Sequence, residues 1–339
     1  MAFRVALNFE DGVTRFINCP ATDTVADASY RAGINIPIDC RDGACGTCKV
    51  FCESGKYDGG SYIEDALTDE EAAKGFALTC QMRPKSDLVL RVPVPSSACK
   101  TGPVKQKAVM EVVNKLSPTT ISFSLKLTDP VKFLPGQYVN IEVPGTGQHR
   151  AYSFSSAPGA DTASFLIRNI PGGLMSTFIA SQAKPGDEVN FVGPSGSFFL
   201  REIARPVLML AGGTGLAPML SMLAYMEANP PAQKVHLVYG VTNDEDLVET
   251  AALDEFAAKI PGFTWEACIA NPASAYPRKG YVTQHLLPEH INGGDVDVYL
   301  CGPPAMVEAV RKYFTDTGVT PVSFHYEKFN PSSPSDKAA

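Results

Sequence analysis

The sequence predicts a multidomain protein in which two regions rich in β-structure precede a doubly wound α/β region. The chain has 339 residues, too many for one domain at roughly 100–200 residues per domain. Short strands separated by Pro-Gly turns fill the middle of the sequence, whereas continuous apolar strands alternate with helical segments after residue 206. We therefore predict domains over residues 1–98, 104–203 and 206–330, and a flexible tail over 331–339.

The charge of the chain limits its partners. The 29 Lys and Arg residues against 36 Asp and Glu residues give a net charge of −7, whereas nucleic acids and anionic membranes bind basic surfaces. No apolar run approaches the roughly 18–20 residues that a membrane-spanning helix needs, and the first residues lack the pattern of a signal peptide. We expect a cytoplasmic protein, a monomer, without a nucleic-acid or membrane partner.

The first region opens with a predicted β-hairpin. Alternating apolar residues over 3–9 and 14–17 flank an Asp-Gly pair at 11–12, which is typical of a tight turn. Further along, Thr-Asp-Glu-Glu at 68–71 has the form of a capping box and predicts the start of a short helix. Segment 94–103, rich in Pro, Ser and Gly, is predicted to link this region to the next.

Nine cysteines are present, an odd number in a large chain, so a framework of disulfides is not expected. Four of them have the spacing C-x4-C-x2-C followed by a distant cysteine: Cys40, Cys45, Cys48 and Cys80. This spacing is the plant-type ferredoxin pattern for a [2Fe-2S] cluster. The alternative is a structural zinc site, which prefers paired C-x2-C units, and the chain offers one such unit.

Residues 1–95 thus resemble a plant-type ferredoxin, which implies a β-grasp fold and four cysteine ligands to iron. The small residues of the loop over 41–47 allow backbone N–H groups to point at the sulfurs, which tunes the reduction potential. Four other cysteines have no partner spacing and are predicted to be buried apolar thiols: Cys19, Cys52, Cys99 and Cys268.

The strand pattern of the second region favours an antiparallel β-barrel or sandwich, and its motifs indicate a flavin site. A flavin needs a cation for its phosphate, an aromatic side chain beside its rings and a hydroxyl near the edge that carries electrons. Arg150 and Tyr152 face the same side of one predicted strand, and Ser153 follows them. Taken alone, this motif is also compatible with an ordinary solvated edge strand.

A second flavin motif lies at residues 172–176, where Gly-Gly-Leu-Met-Ser opens a helix predicted to begin near 174. The N–H groups at Gly173 and Met175 and the hydroxyl of Ser176 suit a pyrophosphate at a helix N-terminus. The alternative is a glycine turn with a serine cap. Together the two motifs resemble the flavin domain of the ferredoxin–NADP reductase family, which implies a Greek-key barrel that binds FAD.

The third region predicts a nicotinamide nucleotide site. An apolar strand over 207–211 runs into a glycine turn and an amphipathic helix, so free N–H groups and a helix dipole face an anion. The predicted contact residues are Gly212, Gly213, Thr214 and Gly215. Pro218 stands where the usual fingerprint has its third glycine, and G-G-T-G-x-x-P is the form seen in ferredoxin–NADP reductase relatives.

Two further motifs complete this site. Cys301, Gly302 and Pro303 resemble the C-G-P element of the same family, which implies that the cysteine lies near the nicotinamide and positions it; a redox-active thiol is the alternative. Phe329 ends the last predicted strand and corresponds to an aromatic residue that covers the flavin in that family, although an apolar strand end explains it nearly as well.

Cofactor choice is predicted from the residues after the second α/β strand. Asp244 and its acidic neighbours are followed by no arginine, and carboxylates bind a ribose hydroxyl but repel a 2′-phosphate, so NADH is favoured over NADPH. The alternative is that these acids cap a helix opening near Asp246.

The order of the three regions resembles the reductase components of bacterial aromatic-ring dioxygenases, most of all the benzoate and anthranilate 1,2-dioxygenase type. NADH delivers two electrons together, a [2Fe-2S] cluster takes one, and FAD between them accepts two and releases them singly. The resemblance implies catalytic roles for Ser153, Cys301 and Phe329, and a terminal oxygenase with a Rieske centre as the protein partner.

Other functions share parts of this layout. Reductases of soluble di-iron monooxygenases and of deoxysugar dehydration have the same order of domains, and a zinc-bound or flavin-sensing binding module is a different class. For docking of the partner, five acids over 64–71 are candidates, but those at a helix N-terminus are equally explained by the helix dipole.

Overall fold

The computed structural model describes residues 1–100 and 104–329. The predicted tail over 331–339 lies outside these residues, as do the last positions of the predicted linker. The chain forms two compact units: unit 1 is Met1–Val104 with Ser195–Ser197, and unit 2 is Lys105–Pro194 with Phe198–Ala339.

Unit 1 is a mixed β-sheet with helices, the arrangement of a β-grasp domain. Its strands are β1 Ala2–Phe9, β2 Thr14–Pro20, β3 Lys49–Ser54, β4 Tyr57–Asp58, β5 Phe76–Leu78, β6 Arg83–Pro84 and β7 Leu88–Val92. Its helices are α1 Val25–Arg31 and α2 Asp69–Ala73. Five strands form one sheet in the order β2-β1-β7-β3-β5, while β4 pairs with β6.

Two local predictions for unit 1 are confirmed. β1 and β2 pair antiparallel, as expected for the hairpin. At the start of α2, the Thr68 hydroxyl accepts from the N–H of Glu71, whose carboxylate in turn accepts from the N–H of Thr68. This reciprocal pair satisfies two N–H groups that the helix itself leaves unpaired.

Unit 2 begins with an antiparallel sheet. Its strands are β8 Val104–Lys115, β9 Thr120–Leu127, β10 Tyr138–Glu142, β11 His149–Ser153, β12 Thr162–Arg168 and β13 Glu188–Ser195. They follow the order β11-β10-β13-β8-β9-β12, and a bridge between Phe154 and Phe165 joins the two outer strands. The sheet therefore closes on itself as the predicted barrel, and its inward residues form one apolar core. Helix α3, Leu174–Ser181, adds Met175 to that core.

The rest of unit 2 is a parallel sheet flanked by helices. Its strands are β14 Val207–Gly212, β15 Val235–Val241, β16 Phe263–Ile269, β17 Asp297–Gly302 and β18 Ser323–Lys328. Its helices are α4 Leu216–Ala228, α5 Thr250–Lys259, α6 Pro288–Ile291 and α7 Pro304–Thr317. The order β16-β15-β14-β17-β18 reverses at β14, so the crevice expected to take a ligand lies at the carboxyl end of β14.

The barrel and the parallel sheet pack against each other within unit 2. The hydroxyl of Ser221 on α4 donates to the carbonyl oxygen of Ser156 at 2.7 Å, and the N–H of Arg201 donates to the Tyr299 hydroxyl at 2.9 Å. These bonds join the segment after β11 to α4 and the segment after β13 to β17. Among the residues described, no helix has the length and apolar character to cross a membrane.

Candidate functional site

The four cysteines of the ferredoxin motif come together in unit 1. The Cys40 thiol is in hydrogen-bond contact with the thiols of Cys45 and Cys80, and the Cys48 thiol is in contact with that of Cys80. The N–H groups of Ala44 and Cys45 each donate to the Cys40 sulfur at 3.3 Å. Sulfurs that converge from a loop and a distant residue, with N–H groups directed at one of them, fit a [2Fe-2S] cluster.

Backbone conformation shapes this cysteine loop, which spans residues 40–48. Gly43 and Gly46 have φ of +85° and +73°, a region that residues with a Cβ seldom occupy. A Cβ at Gly43 would also lie 2.4 Å from the carbonyl oxygen of Ser61. Cys48 is buried whereas Cys45 is exposed, so one side of the loop faces solvent.

The flavin motif lies on the edge strand β11. Tyr152 packs against the barrel core, with its ring edge-on to Phe123 at 6.3 Å between centroids, and burial raises the pKa of its hydroxyl. The guanidinium of Arg150 donates to the carbonyl oxygen of His149 at 2.8 Å. Ser153 is 4% exposed. A cation, an aromatic ring and a hydroxyl therefore follow one another along this strand, the donor set that a flavin requires.

The glycine turn before α3 differs from the prediction at Gly173 and at Ser176. The N–H of Gly173 donates to the carbonyl oxygen of Ile170 at 2.9 Å. The hydroxyl of Ser176 donates to the carbonyl oxygen of Ile170 at 2.8 Å, which ties the turn to the helix. The side chain of Met175 lies in the barrel core. The first N–H groups of α3, after Gly173, have no acceptor within the helix and are the groups suited to a phosphate. The side chains of Met175 and Ser176 therefore contact other parts of the protein and are not available to a phosphate.

Tight packing forms the nicotinamide turn, which spans Gly212–Gly215 at the end of β14. A Cβ at Gly212 would lie 2.4 Å from the Met306 sulfur, and one at Gly215 would lie 2.2 Å from the carbonyl oxygen of Cys301. Gly213, by contrast, has open space around it, and Thr214 beside it is half-buried. The turn leads straight into α4, whose Pro218 lies in the first turn where its missing N–H costs little.

The C-G-P element ends β17 directly beside that turn. The Cα of Gly212 would lie 3.2 Å from a Cβ at Gly302, so both glycines are required for the two strand ends to approach. Pro303 precedes α7, and its ring also lies against Gly212. Cys301 is fully buried, and burial together with the charge of Glu327 raises the pKa of its thiol well above the usual value. A thiol of this kind stays protonated, which favours positioning over redox chemistry.

Glu327 is a candidate residue that the sequence reasoning missed. The hydroxyl of Ser153 lies 3.4 Å from the Glu327 carboxylate, and Glu327 pairs with Cys301 across β17 and β18. Phe329, two residues on, is half-buried, and its N–H donates to the carbonyl oxygen of Gly302 at 2.9 Å. The only sequence signal was its position in the run that ends at Phe329. Four residues therefore lie together where β11 faces the ends of β17 and β18: Ser153, Cys301, Glu327 and Phe329.

Asp244 lies just beyond the carboxyl end of β15, the position from which an acidic residue can reach a ribose. Its exposed carboxylate accepts from the Ser274 hydroxyl at 2.8 Å. Asp246 instead accepts from the N–H of Asn243 at 2.9 Å and from the Thr119 hydroxyl. The acids do cap a short turn here, but the helix begins later than expected, at Thr250.

Family models match three successive parts of the chain. A 2Fe-2S iron-sulfur cluster binding domain matches residues 8–85, an oxidoreductase FAD-binding domain matches 107–200, and an oxidoreductase NAD-binding domain matches 209–312. These matches confirm the predicted set of cofactors, FAD, NAD and a [2Fe-2S] cluster, at the level of domains.

Relatives align over almost the whole chain. The toluate 1,2-dioxygenase electron transfer component of Pseudomonas putida is 56% identical, over 98% of this chain and 100% of its own length. The 2-halobenzoate counterpart of Burkholderia cepacia is 50% identical over 98% and 99%, and the anthranilate counterpart of Acinetobacter baylyi is 38% identical over 97% and 98%. The chain belongs to this family of aromatic 1,2-dioxygenase electron transfer components.

More distant relatives of the reductase share its layout. A cytochrome P450 reductase from Amycolatopsis has a solved structure that covers 98% of this chain and 100% of its own, with a TM-score of 0.73 and 34% identity. A propane 2-monooxygenase reductase component from Mycolicibacterium goodii is 30% identical over 97% and 98%. The higher identity to the dioxygenase components supports the predicted dioxygenase reductase over the monooxygenase alternative.

Proposed function

We propose that this reductase carries electrons from NADH to the terminal oxygenase of a 1,2-dioxygenase that acts on a benzoate-like aromatic acid. The observation that carries the proposal is the meeting of Ser153, Glu327 and Cys301, which joins the flavin strand to the nicotinamide strands. When bound, FAD supplies the chemistry that accepts a hydride and releases its electrons singly to the cluster. The similarity to the toluate and 2-halobenzoate 1,2-dioxygenase components supports this substrate class.

For the cluster, we assign all four sulfurs of the motif as iron ligands: Cys40, Cys45, Cys48 and Cys80. Their mutual contacts within unit 1 support the assignment. The N–H groups of Ala44 and Cys45 would stabilise negative charge on the Cys40 sulfur and so raise the reduction potential.

For the flavin, Arg150 supplies a cation to the phosphate and Tyr152 an apolar surface to the ring system. The N–H groups of Met175 and Ser176 at the start of α3 bind the pyrophosphate, whereas that of Gly173 already donates to the carbonyl oxygen of Ile170. The Ser176 hydroxyl holds the turn in shape through Ile170 and does not itself bind phosphate.

For hydride transfer, Ser153 and Glu327 are the polar groups that orient the reacting rings. The Glu327 carboxylate holds the Ser153 hydroxyl, and Cys301, paired with Glu327 across β17 and β18, is buried beside them without ionising. Phe329, anchored through its N–H to Gly302, would cover the bound flavin and would have to move to admit nicotinamide. Water is excluded because Ser153 and Cys301 are buried.

For the nucleotide, the turn at Gly212, Gly213, Thr214 and Gly215 receives the phosphates, and Asp244 binds the adenosine ribose. Gly302 and Pro303 shape the nicotinamide end. Asp244→Ala should reduce the preference for NADH over NADPH about tenfold, since one charge-assisted hydrogen bond is worth roughly 1.5 kcal/mol. The ratio of kcat/KM for the two cofactors measures this, with Glu245→Ala as the matched control; an unchanged ratio in the Asp244 variant refutes the assignment.

For the partner, the solvent-facing side of the cysteine loop is the exit for electrons. Cys45 is exposed there, and Ile63, whose N–H donates to the carbonyl oxygen of Gly43 at 3.2 Å, is 48% exposed. Glu71 is not part of this surface, because it is buried against the ammonium of Lys49 at 2.8 Å. The protein works as a monomer in the cytoplasm, where the five cysteines outside the cluster stay reduced.

The proposal is tested by reconstitution with purified terminal oxygenases. With a toluate- or benzoate-type oxygenase and its aromatic acid, we expect close to one NADH consumed per product formed. A monooxygenase hydroxylase in the same assay should consume NADH without coupled product. Coupled turnover with the monooxygenase alone would assign the reductase to the other class of partner.

A further inference from the structure

A second group of metal-binding side chains lies in unit 2, apart from the residues assigned above. His236 is on β15, Glu266 is on the neighbouring strand β16, and His290 is on α6. One donor atom from each side chain lies within 4.8 Å of the other two. These residues are 30 and 24 positions apart in sequence order, so only the pairing of β15 with β16 and the packing of α6 bring them together.

His236 is prepared for a ligand. Its Nδ1 lies 2.8 Å from the Thr264 hydroxyl, which holds the ring in place. Its Nε2 is buried and has no hydrogen-bond partner among the described residues. The carboxylate oxygen Oε1 of Glu266 lies 4.0 Å away from it, too far for a hydrogen bond. A buried ring nitrogen without a partner is rare in folded proteins, and a metal ion is one of the few groups that would satisfy it from this side. The hydrogen bond at the other nitrogen is the pattern that usually accompanies a coordinating histidine.

Glu266 is oriented in the same way. The guanidinium of Arg278 donates to its Oε2 at 2.8 Å, which leaves Oε1 directed towards His236. Two donors on one tetrahedral zinc ion, at the usual bond lengths near 2.0–2.1 Å, lie about 3.3 Å apart. The 4.0 Å separation between His236 and Glu266 therefore needs only a small adjustment.

His290 is the third candidate ligand of the group. Its ring stacks on that of His236, with centroids 3.8 Å apart, and its Nδ1 accepts a long bond of 3.3 Å from the N–H of Leu287. Coordination requires the ring to turn out of the stack and release that bond. Because α6 has only four residues, a local movement of this helix is enough.

We propose that His236, Glu266 and His290 form a site for a divalent transition-metal ion of the zinc class. Two imidazoles and one carboxylate are a ligand set that zinc accepts, with a fourth position open to water. The site lies at the amino-terminal end of the parallel sheet, since His236 pairs with Leu208 whereas the nicotinamide turn begins at Gly212. A metal ion here ties α6 to the sheet and has no part in hydride transfer.

The test is zinc binding by the full-length holoprotein. After dialysis against EDTA, with iron and FAD content checked, Zn²⁺ is titrated by calorimetry and bound zinc is measured by elemental analysis. We expect one Zn²⁺ per chain, and at least a hundredfold weaker binding in His236→Gln and in His290→Gln. The matched control His285→Gln, a nearby histidine outside the group, should bind zinc like the wild type.

Two outcomes would overturn the proposal: no stoichiometric zinc on the wild type, or unchanged affinity in His236→Gln, which would assign the zinc to thiols. Reduction of ferricyanide by NADH should be the same in wild type and all three variants, which shows that each is folded. The wild type, but not His236→Gln, should also unfold at a higher temperature when zinc is present.

Discussion

The cysteine loop of unit 1 and the nicotinamide turn of unit 2 both depend on glycine, but for different reasons. In the loop, Gly43 and Gly46 adopt positive φ, so the backbone conformation itself requires them. In the turn, Gly212 and Gly215 have negative φ, and what excludes a side chain is the Met306 sulfur or the Cys301 carbonyl. Positive φ therefore sets the need for glycine in the loop, with a steric clash added at Gly43, whereas steric exclusion alone sets it at Gly212 and Gly215.

The two regions are therefore expected to differ in how much their structure depends on a bound cofactor. Cys40, Cys45 and Cys48 lie outside helices and strands, so we expect bound iron to supply much of what holds the loop. The turn lies between a strand that is buried throughout and α4, whose inner residues are buried as well. We therefore expect the loop to lose order without its cluster and the turn to remain formed without nucleotide.

The largest effect is expected from Cys80→Ser, which removes the one proposed iron ligand outside the loop. The variant should lose its cluster, and electron transfer to the oxygenase should fall at least a hundredfold. Reduction of ferricyanide by NADH, which needs only unit 2, should stay within twofold. Iron content and the two rates measure this.

Cys52→Ser is the matched control for that variant. Cys52 lies four residues after Cys48, is half-buried, and donates to the Ser54 carbonyl oxygen at 3.4 Å. The iron content of Cys52→Ser and its rates of oxygenase and ferricyanide reduction should equal those of the wild type. A full complement of iron in Cys80→Ser would contradict the ligand assignment.

The next effect compares two glycines of the nicotinamide turn. Gly215→Ala places a Cβ against backbone at 2.2 Å and should destabilise unit 2 by about 3 kcal/mol, the upper range for overpacking. Gly213→Ala meets open space, so its cost is only the left-handed backbone, about 1 kcal/mol, but its methyl group should raise the KM for NADH. Thermal unfolding and steady-state kinetics separate the two; equal stability of both variants would refute steric exclusion at Gly215.

Elements formed by residues close together in the chain were predictable from the sequence. Local signals were sufficient for the hairpin at β1 and β2, the capping box of α2, and the strand–turn–helix around Gly212. Each depends on residues close together in the chain. The cysteine spacing was equally informative, because a cluster fixes which residues must converge.

Features set by distant packing were not predictable. Glu327 contacts Ser153 across 174 positions, and only the packing of the barrel edge on β17 and β18 joins them. The Ser176 hydroxyl turned to Ile170 because the local turn offers it a carbonyl acceptor. A single sequence carries no signal for either choice.

The third effect, of intermediate size, is a loss of folding stability of unit 2 at low pH. Burial, with the Arg201 charge nearby, lowers the pKa of His325 to about 3. Unfolded histidine has a pKa near 6.5, so the unfolded chain binds a proton below that pH while the native protein does not until about pH 3. Stability is therefore complete above pH 6.5 and falls as the pH decreases, by about 2 kcal/mol between pH 7 and pH 5.

His325→Gln should remove this part of the pH dependence. Thermal unfolding of wild type and variant at pH 7 and pH 5 measures it, and the variant should show the smaller loss. The cysteine loop serves as internal reference, because His325 belongs to the other unit. Parallel curves for the two proteins would show that His325 titrates normally in the fold.

The smallest effect is expected from Glu327→Gln. The amide keeps a hydrogen bond to Ser153 but removes the negative charge, so hydride transfer should slow about tenfold, roughly 1.4 kcal/mol. Stopped-flow reduction of the bound flavin by NADH measures the rate. Glu255→Gln, exposed on α5, is the control. A Glu327 variant as fast as the wild type would limit this carboxylate to a structural role.

The central claim is that two electrons enter at the nicotinamide turn and leave singly from the cysteine loop. The most direct measurement is an anaerobic titration of the full-length holoprotein with NADH, followed by flavin absorbance and by EPR. We expect bleaching of the flavin and an EPR signal from a reduced [2Fe-2S] cluster in the wild type, and bleaching without that signal in Cys80→Ser. A flavin that NADH does not bleach, or a wild-type cluster that stays oxidised after the flavin is reduced, would contradict it.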